Sequence, residues 1–246
     1  MPVFNEADGI VKFVGEIDGV FTGILVIVVD DRSTDSTREL IESIQCKNVE
    51  VTLIRNERNC GHGPTTLRAL REGLARGAST IVALDGDGQA SADALHGLLS
   101  AFVAQHCDVL EGVRTGRQES LYRVVTSWAT RLITRVRARE SVPDANTPFR
   151  VYEAGALQRL LAVIPAQSMV PNLWITVLSR RIGMRVQSVK VMTRSRLGAS
   201  EVGSTWGSSR MNLPSWRFIR FCVRATSEWY LRWSRVRRAV GRRTST

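Results

Sequence analysis

Asp85-Gly86-Asp87-Gly88-Gln89 follows the apolar run from Ser79 to Leu84, setting two carboxylates and an amide where a buried strand stops. Hard divalent cations such as Mg²⁺ and Mn²⁺ take oxygen ligands, keep several waters and are usually shared with substrate phosphates rather than caged by protein. Asp85, Asp87 and Gln89 suit a cation held in that way. The intervening glycines permit a sharp turn and the close approach of a diphosphate. An acidic Asp-Gly turn after a strand would explain the same residues without any ligand. A second acidic pair, Asp30-Asp31, ends the β-branched run from Gly23 to Val29.

These clusters need elements to position them. Gly23 to Val29 reads as a strand, followed by a polar loop and a helical pattern through Ile44. A second strand is expected over Val49 to Ile54, a Gly-rich loop over Asn56 to Pro64, a helix over Thr65 to Ala75, and then the strand that precedes Asp85. A further strand over Cys107 to Val113 ends at Arg114, and a helix carrying Arg123 follows. Arg150 to Ile164 and Asn172 to Ile182 read as helices, and Met184 to Met192 as the last strand. Strands alternating with helices imply an α/β fold with a mostly parallel sheet. Ligands of such sheets bind beyond the carboxyl ends of the strands, where both acidic clusters fall.

With 246 residues, 43% hydrophobic and 23% charged, the chain can build one sizeable core. No apolar run approaches the roughly 20 residues of a spanning helix, and no secretory signal pattern opens the chain, so a cytoplasmic body is expected. Cys46, Cys60, Cys107 and Cys222 show no metal spacing and read as bystanders. Charge is uneven: residues 214–246 hold nine arginines and one glutamate, a net +8 of the chain's +11.

Taken together, Pro2-Val3-Phe4-Asn5-Glu6, Val28 to Thr37, Asn59 to Pro64, Asp85 to Gln89, Arg123 to Ser127, Asp144 to Tyr152, Pro171-Asn172 and Arg194 to Gly198 resemble the family 2 glycosyltransferases of GT-A fold, in order and in spacing. The resemblance covers about residues 1–210 and points to the branch of dolichyl- and polyprenyl-phosphate sugar synthases. It implies a Rossmann-like GT-A domain over residues 1–213 and a nucleoside-diphosphate sugar as donor. Pro2, Phe4 and Glu6 would lie near the nucleoside, and Asp30 or Asp31 would meet the base or ribose. Asp85, Asp87 and Gln89 would hold Mg²⁺ or Mn²⁺ on the donor diphosphate. Arg196 would sit over those phosphates, while Arg114 and Arg123 would hold an anionic acceptor, with Asn146 and Arg150 beside it. A phosphate acceptor needs no general base, so inversion at the sugar carbon would rest on positioning and electrostatics. A hydroxyl acceptor on a saccharide or envelope polymer would instead need a carboxylate base such as Asp144. A nucleotide-binding scaffold without activity is a third possibility.

The chain departs from the pattern in three places. Its first strand is expected to be truncated, Arg32 stands where the family commonly has Gly after the paired aspartates, and the transmembrane helices of many lipid-acceptor relatives are missing. Residues 214–246 form a basic aromatic tail in which Trp216, Ile219, Val223, Tyr230, Trp233 and Val240 recur at roughly helical spacing. Such a helix can lie peripherally on an anionic membrane, at the inner face of the plasma membrane for a cytoplasmic protein, or pack on the catalytic domain. Nucleic-acid binding is not expected. Elsewhere the bland readings are favoured: Asp35 caps a helix, His62 hydrogen-bonds locally, and Arg180 and Arg181 lie on a solvated helix face. Arg150 is open between an acceptor contact and a structural ion pair, and the Gly- and Ser-rich stretch Leu197 to Ser209 reads as a loop able to close over substrate.

Overall fold

The computed structural model describes residues 1–115, 134–198, 223–224 and 227–230. In chain order its elements are β1 (Pro2–Val3), α1 (Ala7–Val20), β2 (Leu25–Asp30), α2 (Thr37–Ser43), β3 (Glu50–Arg55), α3 (His62–Ala75), β4 (Thr80–Ala83), α4 (Ala92–Gln105), β5 (Val109–Thr115), β6 (Arg150–Glu153), α5 (Ala154–Leu161), α6 (Pro171–Arg181) and β7 (Val186–Met192).

Strands β1, β2 and β3 form one parallel sheet, and β4-β6-β5-β7 form a second. In the second, β5 and β7 are parallel while β6 runs antiparallel to both β4 and β5. β1 is only two residues long. The Pro2 carbonyl accepts from Gly86 N at 3.3 Å, so the segment after β4 is tied to the edge of the first sheet. A Cβ on Gly86 would come within 2.4 Å of Val3 Cγ1, so that glycine makes room for β1 rather than for a ligand.

Alternation along the strands divides the apolar side chains between two cores. Leu110 and Val151 join Ile10, Phe13 and Ile17 of α1 and Leu98 of α4 on one side. Val109 and Tyr152, their chain neighbours, join Leu67 of α3, Leu157 and Leu160 of α5 and Trp174 of α6 on the other. The sheet is thus flanked by helices on both faces, as expected. Among the described residues no helix is long and apolar enough to cross a membrane.

The expected helix over Arg150 to Ile164 is in fact a strand followed by a helix. Arg150-Val151-Tyr152 pairs with both β4 and β5, and Glu153 ends the strand by capping α5: its carboxylate accepts from Gly155 N at 2.8 Å and Ala156 N at 2.6 Å. The cap breaks one apolar run into two elements.

Two arginines are buried. Arg150 is fully buried, and its guanidinium donates to Asn172 O at 3.0 Å and Thr176 Oγ1 at 2.5 Å, with Glu111 at 3.6 Å. Its guanidinium is engaged inside the core, where it joins β6 to α6, the structural alternative of its two readings. Arg180, expected on a solvated surface, is 7% exposed and pairs with the same buried Glu111 at 2.7 and 3.2 Å. A carboxylate facing inward from β5 draws both cations, since a buried charge needs a partner.

The tail meets the body at Glu228, which accepts from Met169 N at 2.9 Å and Trp174 Nε1 at 3.0 Å. Trp229 is buried with its ring centroid 4.4 Å from that of Trp174. Val223 and Tyr230, which fall on the apolar stripe read from the sequence, are exposed. The packed face is thus the one containing Trp229 and the only carboxylate of the tail.

Candidate active site

The loop after β2 is built around its aspartates. Asp30 is fully buried; it accepts from Ser33 N at 2.9 Å and Ser33 Oγ at 2.5 Å, and lies 3.2 Å from Arg55 Nε. Asp31 accepts from Asn56 Nδ2 at 2.7 Å, Cys60 N at 2.8 Å and Gly61 N at 2.7 Å. A carboxylate offers about four acceptor positions, so Asp31 keeps one after these three bonds, whereas Asp30 is turned into the fold. Asp31 thereby fixes the turn that starts α3. Asp35 accepts from Thr37 N at 3.0 Å, the capping role expected of it, and also from Ala7 N at 3.3 Å, which joins the loop to α1. Pro2 is buried in β1, Phe4 is half-buried, and the Glu6 amide donates to Thr37 Oγ1 at 2.8 Å.

Helix α3 begins three residues before its expected start and brings His62 to the site. Gly63, in its first turn, lies so close to the Ser168–Met169 backbone that a Cβ would meet Ser168 O at 2.3 Å. His62 Nε2 stands 2.8 Å from Asp85 Oδ1, 23 residues away in sequence. The expected local hydrogen bond is instead a contact from the first turn of α3 to a candidate metal ligand in the turn after β4. Burial works against a charge on His62, but Asp85, with Asp87 and Asp31, outweighs it and raises the imidazole above its ordinary range. Burial likewise opposes the charge on Asp85, yet His62 and then Arg114 hold its carboxyl below the usual range. Asp87 moves the other way: burial and the neighbouring Asp85 charge raise it, against Gln89 N–H, Arg196 and His62.

Gln89 N donates to Asp87 Oδ1 at 3.1 Å, closing the turn. The strand-end segment 193–198 then straps across this turn. Arg194 N donates to Gln89 O at 2.9 Å and Leu197 N to Asp87 O at 3.1 Å, while Arg194 Nε bonds Gly88 O at 2.8 Å and its Nη2 pairs with Glu16 at 2.5 Å. A Cβ on Gly88 would meet Leu197 Cδ1 at 2.5 Å, so this glycine, too, admits a side chain of the strap rather than a diphosphate. Arg196 hydrogen-bonds Glu6 and lies 3.8 Å from Asp87 Oδ2. Burial pushes the Glu6 carboxyl up to about 7, against the pull of Arg196, with Asp87 and Asp85 adding to the rise.

At the end of β5, Arg114 clasps Asp144 through Nε at 2.7 Å and Nη2 at 2.9 Å, and Nη2 also reaches Asn146 O at 3.3 Å. Burial disfavours the Asp144 charge, but Arg114 holds the carboxyl below its usual range. Asn146 is exposed beside this pair. Arg123 lies outside the described residues.

Asp85, Asp87, Glu6, Arg196, Arg114 and His62 therefore converge, with Asp31 supporting them from beneath. Among the described residues no group of three or more His, Cys, Asp and Glu side chains could cage a metal ion. The donor set nonetheless fits a hard cation shared with a ligand: two oxygen-bearing side chains close enough for one charge to raise the other's pKa form a centre that a cation would relieve.

The glycosyl transferase family 2 model matches residues 1–161 of this chain. The chain belongs to that family. It is a glycosyltransferase. It is 26% identical over 224 residues to the undecaprenyl-phosphate mannosyltransferase of Micrococcus luteus, covering 88% of this chain and 91% of that one. Over 225 residues it is also 26% identical to the polyprenol monophosphomannose synthase of Mycolicibacterium smegmatis, covering 88% and 84%. The polyprenyl-phosphate sugar synthase branch is thus the part of this glycosyltransferase family that it resembles. Its fold matches glucosyl-3-phosphoglycerate synthase from Mycobacterium tuberculosis, solved with Mn²⁺ and UDP-glucose, at a TM-score of 0.57 and 17% identity over 79% of this chain and 69% of that one. The chain spans 56% of the length of the Staphylococcus aureus TarS 1–349 structure, whose fold it also shares. These likenesses establish the GT-A fold of this glycosyltransferase.

Proposed function

We propose that this glycosyltransferase moves a sugar from a nucleoside-diphosphate donor to a polyprenyl-phosphate-type lipid acceptor, with inversion, working peripherally at the cytoplasmic face of the plasma membrane. The observation that carries the acceptor assignment is the Arg114–Asp144 pair. A carboxylate clasped through two hydrogen bonds by a guanidinium, with its pKa held down, is a poor general base. A phosphate acceptor is already ionised near neutral pH and asks for no base; a guanidinium beside the site suits it. The two relatives named for polyprenyl-phosphate mannosyl transfer support the same class.

In this reading Asp31 offers its remaining acceptor position to the base or ribose of the donor, near Phe4. Arg196 leaves Glu6 and Asp87 to pair with the donor phosphates, and the strap 193–198 excludes water from them. Asp85, Asp87 and Gln89 would hold Mg²⁺ or Mn²⁺, which supplies charge neutralisation to the departing nucleoside diphosphate. His62 keeps Asp85 ionised and oriented. Arg114 and Arg123 position the acceptor, and residues 214–246 act as a membrane-associating tail.

Thermal stabilisation by UDP, GDP and dTDP, each with and without Mn²⁺ or Mg²⁺, tests the donor half, because a ligand of the native state must raise its stability. One nucleotide is expected to stabilise the wild type in a metal-dependent way and to lose that effect in Asp87→Ala. Product analysis with a polyprenyl phosphate and with saccharides then tests the acceptor. Transfer to saccharides alone refutes the assignment.

A further inference from the structure

The docked tail residues reveal which side of their helix is left free. Residues 223–224 and 227–230 are helical. Glu228 and Trp229 face the body, as described above. Val223 is 64% exposed and Tyr230 72% exposed, and both belong to the described helical residues of the tail. The Arg137 guanidinium lies 5.2 Å over the Tyr230 ring and 5.1 Å over that of Trp229, which sets the helical stretch 134–138 beside the tail. On that stretch Val136 is 68% exposed, and Arg135 and Arg139 are exposed on either side of it. Three of the six large apolar side chains exposed among the described residues thus lie on these two adjoining segments.

Charge decides among possible occupants. The only carboxylate among the ten charged residues of 214–246 is Glu228, and it is turned inward onto Met169 and Trp174. Among the described residues Arg224 of the tail is exposed, as are Arg135 and Arg139 on the adjoining stretch. Apolar side chains set among arginines match an anionic bilayer interface, where valine and tyrosine enter the headgroup region and guanidinium groups meet lipid phosphates. Nucleic acid would satisfy the arginines and leave Val136 and Val223 in water.

We propose that Val136, Val223 and Tyr230, flanked by Arg135 and Arg139, form the face on which the protein docks to an anionic phospholipid bilayer, with Glu228 and Trp229 as the clamp that holds the tail helix with that face outward. The proposal deepens the peripheral-membrane part of the function above and assigns it to particular residues. It also gives the tail both roles weighed from its sequence, since one face packs and the other binds lipid.

Co-sedimentation with vesicles of phosphatidylcholine alone and of phosphatidylcholine with phosphatidylglycerol tests it, on the full chain. Wild type is expected to bind the anionic vesicles and to bind the neutral ones far less. Arg135→Gln/Arg139→Gln should weaken anionic binding roughly thirtyfold, at about fivefold per arginine. Val136→Ser/Tyr230→Ser should weaken it about tenfold or more through lost apolar burial. Both variants should retain the wild-type melting temperature within a few degrees and full turnover on a short-chain, water-soluble polyprenyl phosphate. Unchanged vesicle binding in both variants refutes the proposal. So does equal binding of wild type to both vesicle types, or sedimentation equilibrium showing a dimer that these substitutions dissociate, which would give the face to a second copy. Vesicle binding that follows these expectations while no lipid phosphate is glycosylated would leave the docking face standing and overturn the acceptor reading.

Discussion

Arg32 shows how a single residue can oppose its own loop. It adopts φ +67°, the left-handed region, directly after the aspartates that set the loop. A side chain there costs about 1–2 kcal/mol that glycine avoids, less the entropy glycine loses on folding. Because Arg32 is exposed, little packing offsets that cost. Arg32→Gly should therefore raise stability by about 1 kcal/mol, or roughly 2–4 °C in a chain of this size, as read by thermal melting; a fall in melting temperature would mean the side chain is held by something it does not touch here. Asp144 raises a question of mechanism rather than stability. A general base contributes about 10²–10⁴-fold to rate, so Asp144→Asn should cost less than about 10²-fold in turnover while sparing donor-induced stabilisation, its loss being felt through Arg114. A larger loss, with Arg114→Lys fully active, would make Asp144 the base and the acceptor a hydroxyl. The candidate site's residues stood out in the sequence because Asp30, Asp31, Asp85 and Asp87 fall where apolar runs stop. Their partners did not, since nothing in the spacing of His62 and Asp85, 23 positions apart, announces a 2.8 Å contact.

At the scale of elements, Glu228 tests whether the tail is part of the domain. It ties the tail to the loop before α6 and to the Trp174 indole, at 2.9 and 3.0 Å. Hydrogen bonds to a charged group are worth about 1.5–3 kcal/mol each when an unpaired partner is left behind, so Glu228→Ala should destabilise the protein by about 2 kcal/mol or more, with Glu228→Gln intermediate. Urea denaturation measures both, and an unchanged midpoint would show that the tail does not dock in solution. Gly63 belongs to the same assembly, because it lets α3 approach Ser168 and Met169 closely enough to bring His62 over Asp85. Strand β2 was readable as a near-continuous β-branched run, in keeping with its buried Val28 and Val29, and β3, β5 and β7 as shorter apolar stretches between helical patterns. β6 was not: Arg150-Val151-Tyr152 flows without a Gly or Pro into the apolar pattern of α5, and only the Glu153 cap separates them. The tail's buried face was not legible for a related reason. Helical spacing identifies stripes but not which stripe meets a body whose surface is unknown, and the aromatic that packs, Trp229, stands directly beside the exposed Tyr230.

For the molecule as a whole, the Glu6–Arg196 contact joins the first strand's end to the strap that covers the metal turn, so its titration should be felt in folding. The Glu6 carboxyl is raised from 4.5 to about 7 by burial, partly opposed by Arg196. A carboxyl whose folded-state pKa is raised binds its proton more tightly in the folded protein, so its contribution to stability is greatest below about 4.5 and falls as pH rises through 7. The buried Met1 amino group, pulled down to about 5 by desolvation, works in the opposite sense between 5 and 8. The two must be separated by comparison with Glu6→Gln, in which the amino group is unchanged. The stability difference, wild type minus Glu6→Gln, should fall steadily between pH 4.5 and 7.5 in metal-free solution and level off above. A difference that does not change with pH would mean that Glu6 titrates normally and that Arg196 holds it as an ordinary exposed pair. Adding the stabilising nucleotide with Mn²⁺ should extend the fall to higher pH, because Arg196, which pulls the Glu6 carboxyl down, then pairs with phosphate and leaves burial unopposed. A curve that does not shift with ligand bound would leave Arg196 on Glu6 throughout and remove it from the donor site.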